Sequence, residues 1–375
     1  MNMKKGQNLI VFAHYPSQKE ANCSGMLARF LSIDSIFEDI PRYYIESTLS
    51  TFKQTIYTIL RDLKHHNYLN AMTKYKNVKR MFYVKKSTLE KMCEDANVIY
   101  VQTIYNMLNI PVEIIKNFGH KMFFDIHGCF VEESEYLGWS QRKISRQKEY
   151  EKQIFKYVKN FVCVSQNMVD FYKDKFSSSK DANYMILPIF SLNKDAKCSK
   201  ICDDKKINII YPGGCDKWQN SELMVETIAK LQDNKEYHFA IYTKQIKEFS
   251  KLLDKYSIKN VNLEYKSQKE LWSEYKKYHF GFLLRDDIIV NKVACPTKLI
   301  DYLQNGIIPI VLQPEIGDFN KFGYKYILLT DFIEGKIPNE EEQEKMRKVN
   351  FEIIQNLSIN VEYSKNKLLS MILGN

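Results

Sequence analysis

Residues 281–311 read GFLLRDDIIVNKVACPTKLIDYLQNGIIPIV. An apolar run ends near Leu284, a polar loop follows, and a second apolar run, Ile307–Leu312, closes the stretch. Between them, Pro296 suits the first turn of a helix, where its missing N–H is not needed. Gly306 suits the residue after the helix end, where left-handed backbone is common. The spacing predicts a short helix over about 296–304 between two strands. Thr297 and Lys298 then stand at a helix N-terminus, where free N–H groups and the helix dipole attract phosphate. Asp301 shares a face with Lys298 and lies roughly 4–5 Å further along the axis. A carboxylate there could accept from the two hydroxyls of a ribose. A Lys–Asp surface pair beside a capped helix would give the same pattern.

The strand–helix alternation repeats on both sides of this stretch. Candidate strands are Leu9–Ala13, Val98–Val101, Lys121–Ile126, Phe161–Val164 and Tyr184–Leu187 in the first half. Ile207–Tyr211, His238–Tyr242, Val261–Tyr265, Phe280–Leu284, Ile307–Leu312 and Tyr326–Leu329 form a second series. Helical periodicity lies between them, as in Met224, Ile228 and Leu231. This pattern predicts an α/β protein with two parallel sheets. The polar stretch 188–206 reads as the linker. The expected domains are 1–190 and 191–345, and the tail 346–375 reads as helix packing back on the first domain. With 375 residues, two cores are the natural expectation.

Residues 211–220, YPGGCDKWQN, follow a strand and precede a helix. Gly213 and Gly214 remove side chains where the backbone of an open α/β sheet meets its ligand, and Lys217 adds a cation. A diphosphate needs that combination, although a plain strand-to-helix turn would also use Gly-Gly. No GxGxxG follows the first strand, which disfavours a dinucleotide oxidoreductase.

Composition narrows the class. The eight cysteines are scattered without a CxxC pair, so neither a disulfide framework nor a zinc site is expected, and a reduced cytoplasmic compartment fits. The apolar run Leu9–Ala13 is too short for a signal peptide, and no stretch approaches a membrane-spanning length. Net charge is +10. Residues 53–91 concentrate it in Lys53, Arg61, Lys64, Lys74, Lys76, Lys79, Arg80, Lys85, Lys86 and Lys91, interleaved with aromatic residues. A solvated helical face and peripheral contact with an anionic membrane are equally good readings. No nucleic-acid motif accompanies the charge, so no nucleic-acid partner is expected.

The motifs together resemble the C-terminal domain of GT-B glycosyltransferases of the retaining family 4 type, as found in bacterial surface-polysaccharide synthesis. The resemblance lies in Pro296–Lys298, Asp301–Leu303, Asn305–Gly306 and Ile308–Val311, and in the GG…KWQ start of the second domain. In the first half, FDIHGCFVEESEY (124–136) and FVCVSQNMVDFY (161–172) are similar to the family's D-x-H-G…E…V-S-x-x-M stretch. The resemblance implies two Rossmann-like domains facing each other across a cleft. It implies a nucleotide-sugar donor, with UDP as the default, a glycan or lipid-linked acceptor, and retention of configuration. His127, Lys217 and Lys298 are the expected catalytic residues, with both lysines on the donor diphosphate and His127 near the transferring sugar. Gly213, Gly214, Arg285, Asn291, Thr297, Lys298 and Asp301 are expected on the donor side. His14, Tyr15 and Gly25 are expected on the acceptor side. No metal and no cofactor are expected, because no D-x-D motif is present and cations with a helix N-terminus can stabilise the leaving group. The sequence departs from the family at Val293, where many members carry the first of two acids eight residues apart. Arg285, Asp286 and Asn291 are the polar candidates for that role. A non-catalytic GT-B-like subunit supporting a partner transferase is the alternative that Val293 favours.

Overall fold

Thirteen parallel strands, in two sheets, organise the residues described by the computed structural model: 8–21, 25–46, 60, 77–81, 84–189 and 206–374. The chain divides into two units, one formed by residues up to Ile189 with those from Glu362 onward, the other by Phe190–Val361. Most of the basic stretch 53–91 and of the linker 188–206 lies outside the described residues.

The first sheet contains β1 (Leu9–Phe12), β2 (Arg42–Ile45), β3 (Val78–Met81), β4 (Val98–Gln102), β5 (Met122–Ile126), β6 (Asn160–Cys163) and β7 (Asn183–Ile186). Their order is β3-β2-β1-β4-β5-β6-β7. Sequence patterning misses β2 and β3. Charge hides both. Arg42 opens β2, yet it is buried because its guanidinium donates to Asp34, with Nη2 at 2.7 Å from Oδ2. Lys79 and Arg80 sit in β3, the half-exposed edge strand, where charged residues suppress pairing with other chains.

The second sheet contains β8 (Ile207–Pro212), β9 (Tyr237–Tyr242), β10 (Val261–Glu264), β11 (Phe280–Leu283), β12 (Ile308–Val311) and β13 (Ile327–Leu328). Their order is β10-β9-β8-β11-β12-β13. All six match the sequence expectation to within two residues at either end. β11 and β12 are buried along their whole length, so they appear in sequence as unbroken apolar runs.

Both sheets are wound alike. The earliest strand of each lies inside the sheet, the chain steps outward to one edge, and it then returns to the other side. The strand order therefore reverses between β1 and β4, and between β8 and β11. Such switch points open a crevice at the carboxyl ends of the strands, where ligands of α/β proteins bind.

The tail is helical, as the sequence suggests, and the helix begins before residue 346. One 34-residue helix, Glu340–Leu373, runs unbroken because the span holds neither proline nor glycine, and it stops at Gly374 with φ of +70°.

Candidate functional site

The switch point of the second sheet gathers most of the residues expected on the donor side. Gly213 and Gly214 leave the carboxyl end of β8, and Arg285 stands just beyond β11. The helix Thr297–Gln304 starts with Thr297 and Lys298, with Pro296 at the N-cap position, one residue earlier than expected. Tyr302 anchors that helix. Its ring lies against Gly281 of β11, where an added Cβ would come within 2.4 Å of the ring, and its hydroxyl donates to Phe282 O at 3.1 Å. At the helix end, Gly306 has φ of +69°, and Ile307 N–H donates back to Tyr302 O at 2.9 Å. The helix N-terminus is thereby held beside the Gly-Gly turn.

Lys298 is the central group. It is buried, with 9% exposure, and carries no carboxylate partner among the described residues. Its Nζ donates to Gln219 Oε1 at 3.0 Å and lies 3.7 Å from the centroid of the Tyr211 ring. A Cβ on residue 213 would come within 2.7 Å of this Nζ, so glycine is what lets the amine approach the turn. Burial and the neighbouring Arg285 hold Lys298 well below the ordinary lysine range, against the pull of Asp216. A buried cation without a counter-ion is costly, and an anionic ligand would remove that cost.

Asp301 follows one turn later and stays partly exposed. Burial pushes its carboxyl up to about 7, despite a hydrogen bond donated by Gln304 Nε2 at 2.8 Å. The carboxylate is thus available to a ligand but is half protonated near neutrality.

The loop after β11 is internally bonded. Arg285 Nη1 donates to Asn291 Oδ1 at 3.3 Å, Asn291 Nδ2 to Asp286 O at 2.9 Å, and Asn220 Nδ2 to Asp286 Oδ1 at 2.7 Å. Asn291 is 1% exposed and accepts from Gly317 N–H at 3.1 Å, so it shapes the loop. Val293 is also 1% exposed and belongs to the core. Lys217 opens the turn Lys217–Gln219 with an exposed side chain, whereas Gln219, at the other end of the turn, reaches Lys298. Sequence reading quoted Gln219 and Tyr211 without giving either a role.

In the first unit, His127 stands at the carboxyl end of β5 within a buried ion cluster. Arg29, from the helix Gly25–Asp34, donates to Asp125 through Nη2 at 2.7 Å and through Nε at 3.2 Å. It also donates through Nη1 to Leu187 O and Pro188 O, at 2.8 and 3.1 Å. Burial opposes the Asp125 charge, but Arg29 and His127 hold the carboxyl well below its ordinary range. His127 Nε2 lies 2.9 Å from Arg29 Nε, which donates to it, and 3.1 Å from Asp125 Oδ2. Burial lowers the imidazole pKa, with Arg29 adding to the effect and Asp125 opposing it. His127 Nδ1 is buried with no hydrogen-bond partner among the described residues. Nothing in the sequence pattern pointed to Arg29.

The residues expected on the acceptor side separate. Tyr15 is 4% exposed and its hydroxyl donates to Asp34 Oδ2 at 3.4 Å, within the core of the unit. His14 remains partly exposed between Glu46 and Glu20, with Nδ1–Oε2 and Nε2–Oε1 distances of 3.1 and 3.3 Å. Gly25 is the exposed first residue of the helix that carries Arg29. Next to β1, at the end of β4, Thr103 has φ of +66°, a strained conformation for a β-branched residue, and its Oγ1 is buried without a partner among the described residues. The V-S-x-x-M motif resolves into a helix cap, with Ser165 Oγ accepting from Met168 N–H at 3.1 Å.

Comparison with known proteins identifies the fold. No family profile and no curated protein sequence matches the chain. Among solved structures, it is similar to sucrose-phosphate synthase from Thermosynechococcus elongatus, with a TM-score of 0.62, 11% identity, and coverage of 96% of this chain and 97% of that one. It is similar to Anabaena HepE in complex with UDP-glucose, with a TM-score of 0.60, 10% identity, and coverage of 97% and 99%. It is also similar to the GtfA/B complex, with a TM-score of 0.57, 14% identity, and coverage of 79% of this chain but only 62% of that one. At these identities the likeness is one of fold. The chain has the two Rossmann-like domains of GT-B glycosyltransferases. Among the described residues, no helix is long and apolar enough to cross a membrane, and no group of three or more His, Cys, Asp or Glu could hold a metal.

Proposed function

We propose that the chain is a glycosyltransferase that moves a sugar from a nucleoside-diphosphate sugar, UDP-linked by default, to a hydroxyl of a glycan or lipid-linked glycan. The single observation that carries this reading is the buried Lys298, held without a counter-ion at a helix N-terminus beside a Gly-Gly turn. In the reaction, the bond from the anomeric carbon to the diphosphate breaks and a bond to the acceptor oxygen forms. The acceptor proton leaves to a phosphate oxygen or to solvent. Charge grows on the departing diphosphate, and Lys298, Arg285 and the free amides at Thr297 and Lys298 are suited to stabilise it without a metal. Asp301 would take the ribose hydroxyls, and His127 would stand near the transferring sugar. Retention, with the acceptor attacking on the leaving-group face, belongs to the same proposal. So does a place in bacterial capsule, O-antigen or other surface-polysaccharide synthesis at the cytoplasmic face of the membrane. The UDP-glucose in the HepE complex supports the choice of donor.

Thermal melting against a panel of nucleotides and their sugars tests the reading. UDP and one of its sugars are expected to raise Tm with concentration, and EDTA is expected to change nothing. If no nucleotide stabilises the protein at millimolar concentration, the reading fails. Val293 favours a second reading, a GT-B-like subunit that supports a partner transferase, since a buried valine offers no side-chain hydrogen bond to a sugar. Nucleotide stabilisation without transfer or donor hydrolysis would select it.

Asp301 supplies a pH signature. An ionised carboxylate accepts from both ribose hydroxyls, whereas the protonated form is a poorer acceptor. With the free carboxyl at about 7, uridine affinity is expected to rise as pH passes from 6 to 8. Asp301→Asn is expected to flatten that rise, which titration calorimetry with uridine would measure.

A further inference from the structure

Lys298 is surrounded by neutral partners. Gln219 Oε1 accepts from its Nζ at 3.0 Å, and the Tyr211 ring lies beneath it with its centroid at 3.7 Å. Tyr211 is itself fixed, because its hydroxyl donates to Gly214 O at 2.7 Å and ties the ring to the Gly-Gly turn. Two charged groups face the amine. Arg285 follows β11, and Asp216 belongs to the turn after Gly214. Arg285 opposes a positive charge on Lys298. Asp216 favours one, but it is exposed and makes no ion pair with the lysine among the described residues. Burial weighs in the same direction as Arg285.

An amide oxygen is an unusual choice beside a buried lysine, where a carboxylate would offset the desolvation cost directly. A carboxylate would also neutralise the lysine permanently and compete with an anionic ligand. An amide accepts from the amine in either protonation state without competing. The aromatic face contributes in the same sense, since its attraction for a cation is weaker than that of an anion.

We propose that Gln219 and Tyr211 are positioning residues that keep Lys298 beside Gly213 without a counter-ion, so that the diphosphate of the donor enters together with one proton. This rests on the donor-binding reading above and extends it to how the site is loaded. The balance is simple: one solvent proton joins the amine, the ammonium pairs with a phosphate oxygen, and no other bond forms or breaks. Affinity for a diphosphate therefore falls as pH rises, by at most tenfold per unit. The direction is opposite to that expected from Asp301, so proton uptake is read with a probe that lacks a ribose.

The test is titration calorimetry of the full chain with inorganic pyrophosphate and with UDP. Two buffers at one pH, differing in ionisation enthalpy, report the protons taken up. Wild type is expected to take up protons when it binds pyrophosphate. Gln219→Glu supplies the missing counter-ion, so uptake is expected to fall toward zero and affinity by tenfold or more. Gln219→Leu is expected to weaken binding while keeping the uptake. Pyrophosphate binding without proton uptake in wild type, or uptake unchanged in Gln219→Glu, overturns the proposal. The wild-type arm does not depend on any variant folding. If neither UDP nor pyrophosphate binds wild type, the donor reading itself fails and this inference fails with it.

Discussion

Replacing Arg29 with methionine is expected to destabilise the first unit by about 3–5 kcal/mol, among the largest effects available to one substitution. Asp125 is wholly buried and would lose the guanidinium that holds it ionised. Leu187 O and Pro188 O would lose their donor as well. The cost comes from the charge left behind more than from the value of the pair, so Arg29→Met with Asp125→Asn is expected to recover part of it. Urea denaturation of wild type, both single variants and the double variant would measure the coupling. Additive losses across the four would mean that the two groups do not act as a pair. The pH dependence follows from the sign of the Asp125 shift. Its folded value lies below its unfolded value, so the contribution is complete above about pH 4 and is lost only in strong acid.

Lys298→Met is expected to separate binding from stability. Pyrophosphate affinity should fall by about 100-fold, equivalent to about 2.7 kcal/mol and within the range for hydrogen bonds to charged groups. Uridine affinity should change little. The melting temperature without ligand should stay level or rise, because methionine fills the same space without a buried amine that lacks a counter-ion. Melting curves and calorimetry on the same preparation would check both halves. A large drop in melting temperature, or equal losses for uridine and pyrophosphate, would show that Lys298 serves the core. The expected pattern is that of a site which holds an unfavourable group for the sake of its ligand.

What could be read in the sequence depends on how far each feature reaches along the chain. The second sheet was legible because strands buried on both faces are continuous apolar runs, as in Ile308–Val311. In the first sheet, β2 and β3 were hidden by Arg42, Lys79 and Arg80, whose placement depends on a distant aspartate or on an edge position. The site divides in the same way. Lys298, Gly213 and Asp301 were legible from spacing within one loop or one turn of helix. Gln219 and Tyr211 were not, because they meet Lys298 only once β8 and β11 are paired. Arg29 and Asp125 stand 96 positions apart, and no local rule joins them. Val293 looked like a missing acid in the motif, and its burial shows that the position belongs to the packing of this loop.

The winding of the sheets has a consequence during synthesis. β1 is an interior strand, buried along its whole length, yet it leaves the ribosome long before the neighbour that covers its second edge. β2 arrives first, but β4 begins about 85 residues after β1 ends. At roughly 5–20 residues per second, the nascent chain carries an open apolar edge for roughly 4–17 seconds. β8 repeats the exposure while it waits for β11, which follows about 70 residues later. Each unit therefore passes through an interval in which an interior strand could pair with the wrong chain. A holding chaperone engaged at residues 9–13 and again at 207–212 would bridge those two intervals.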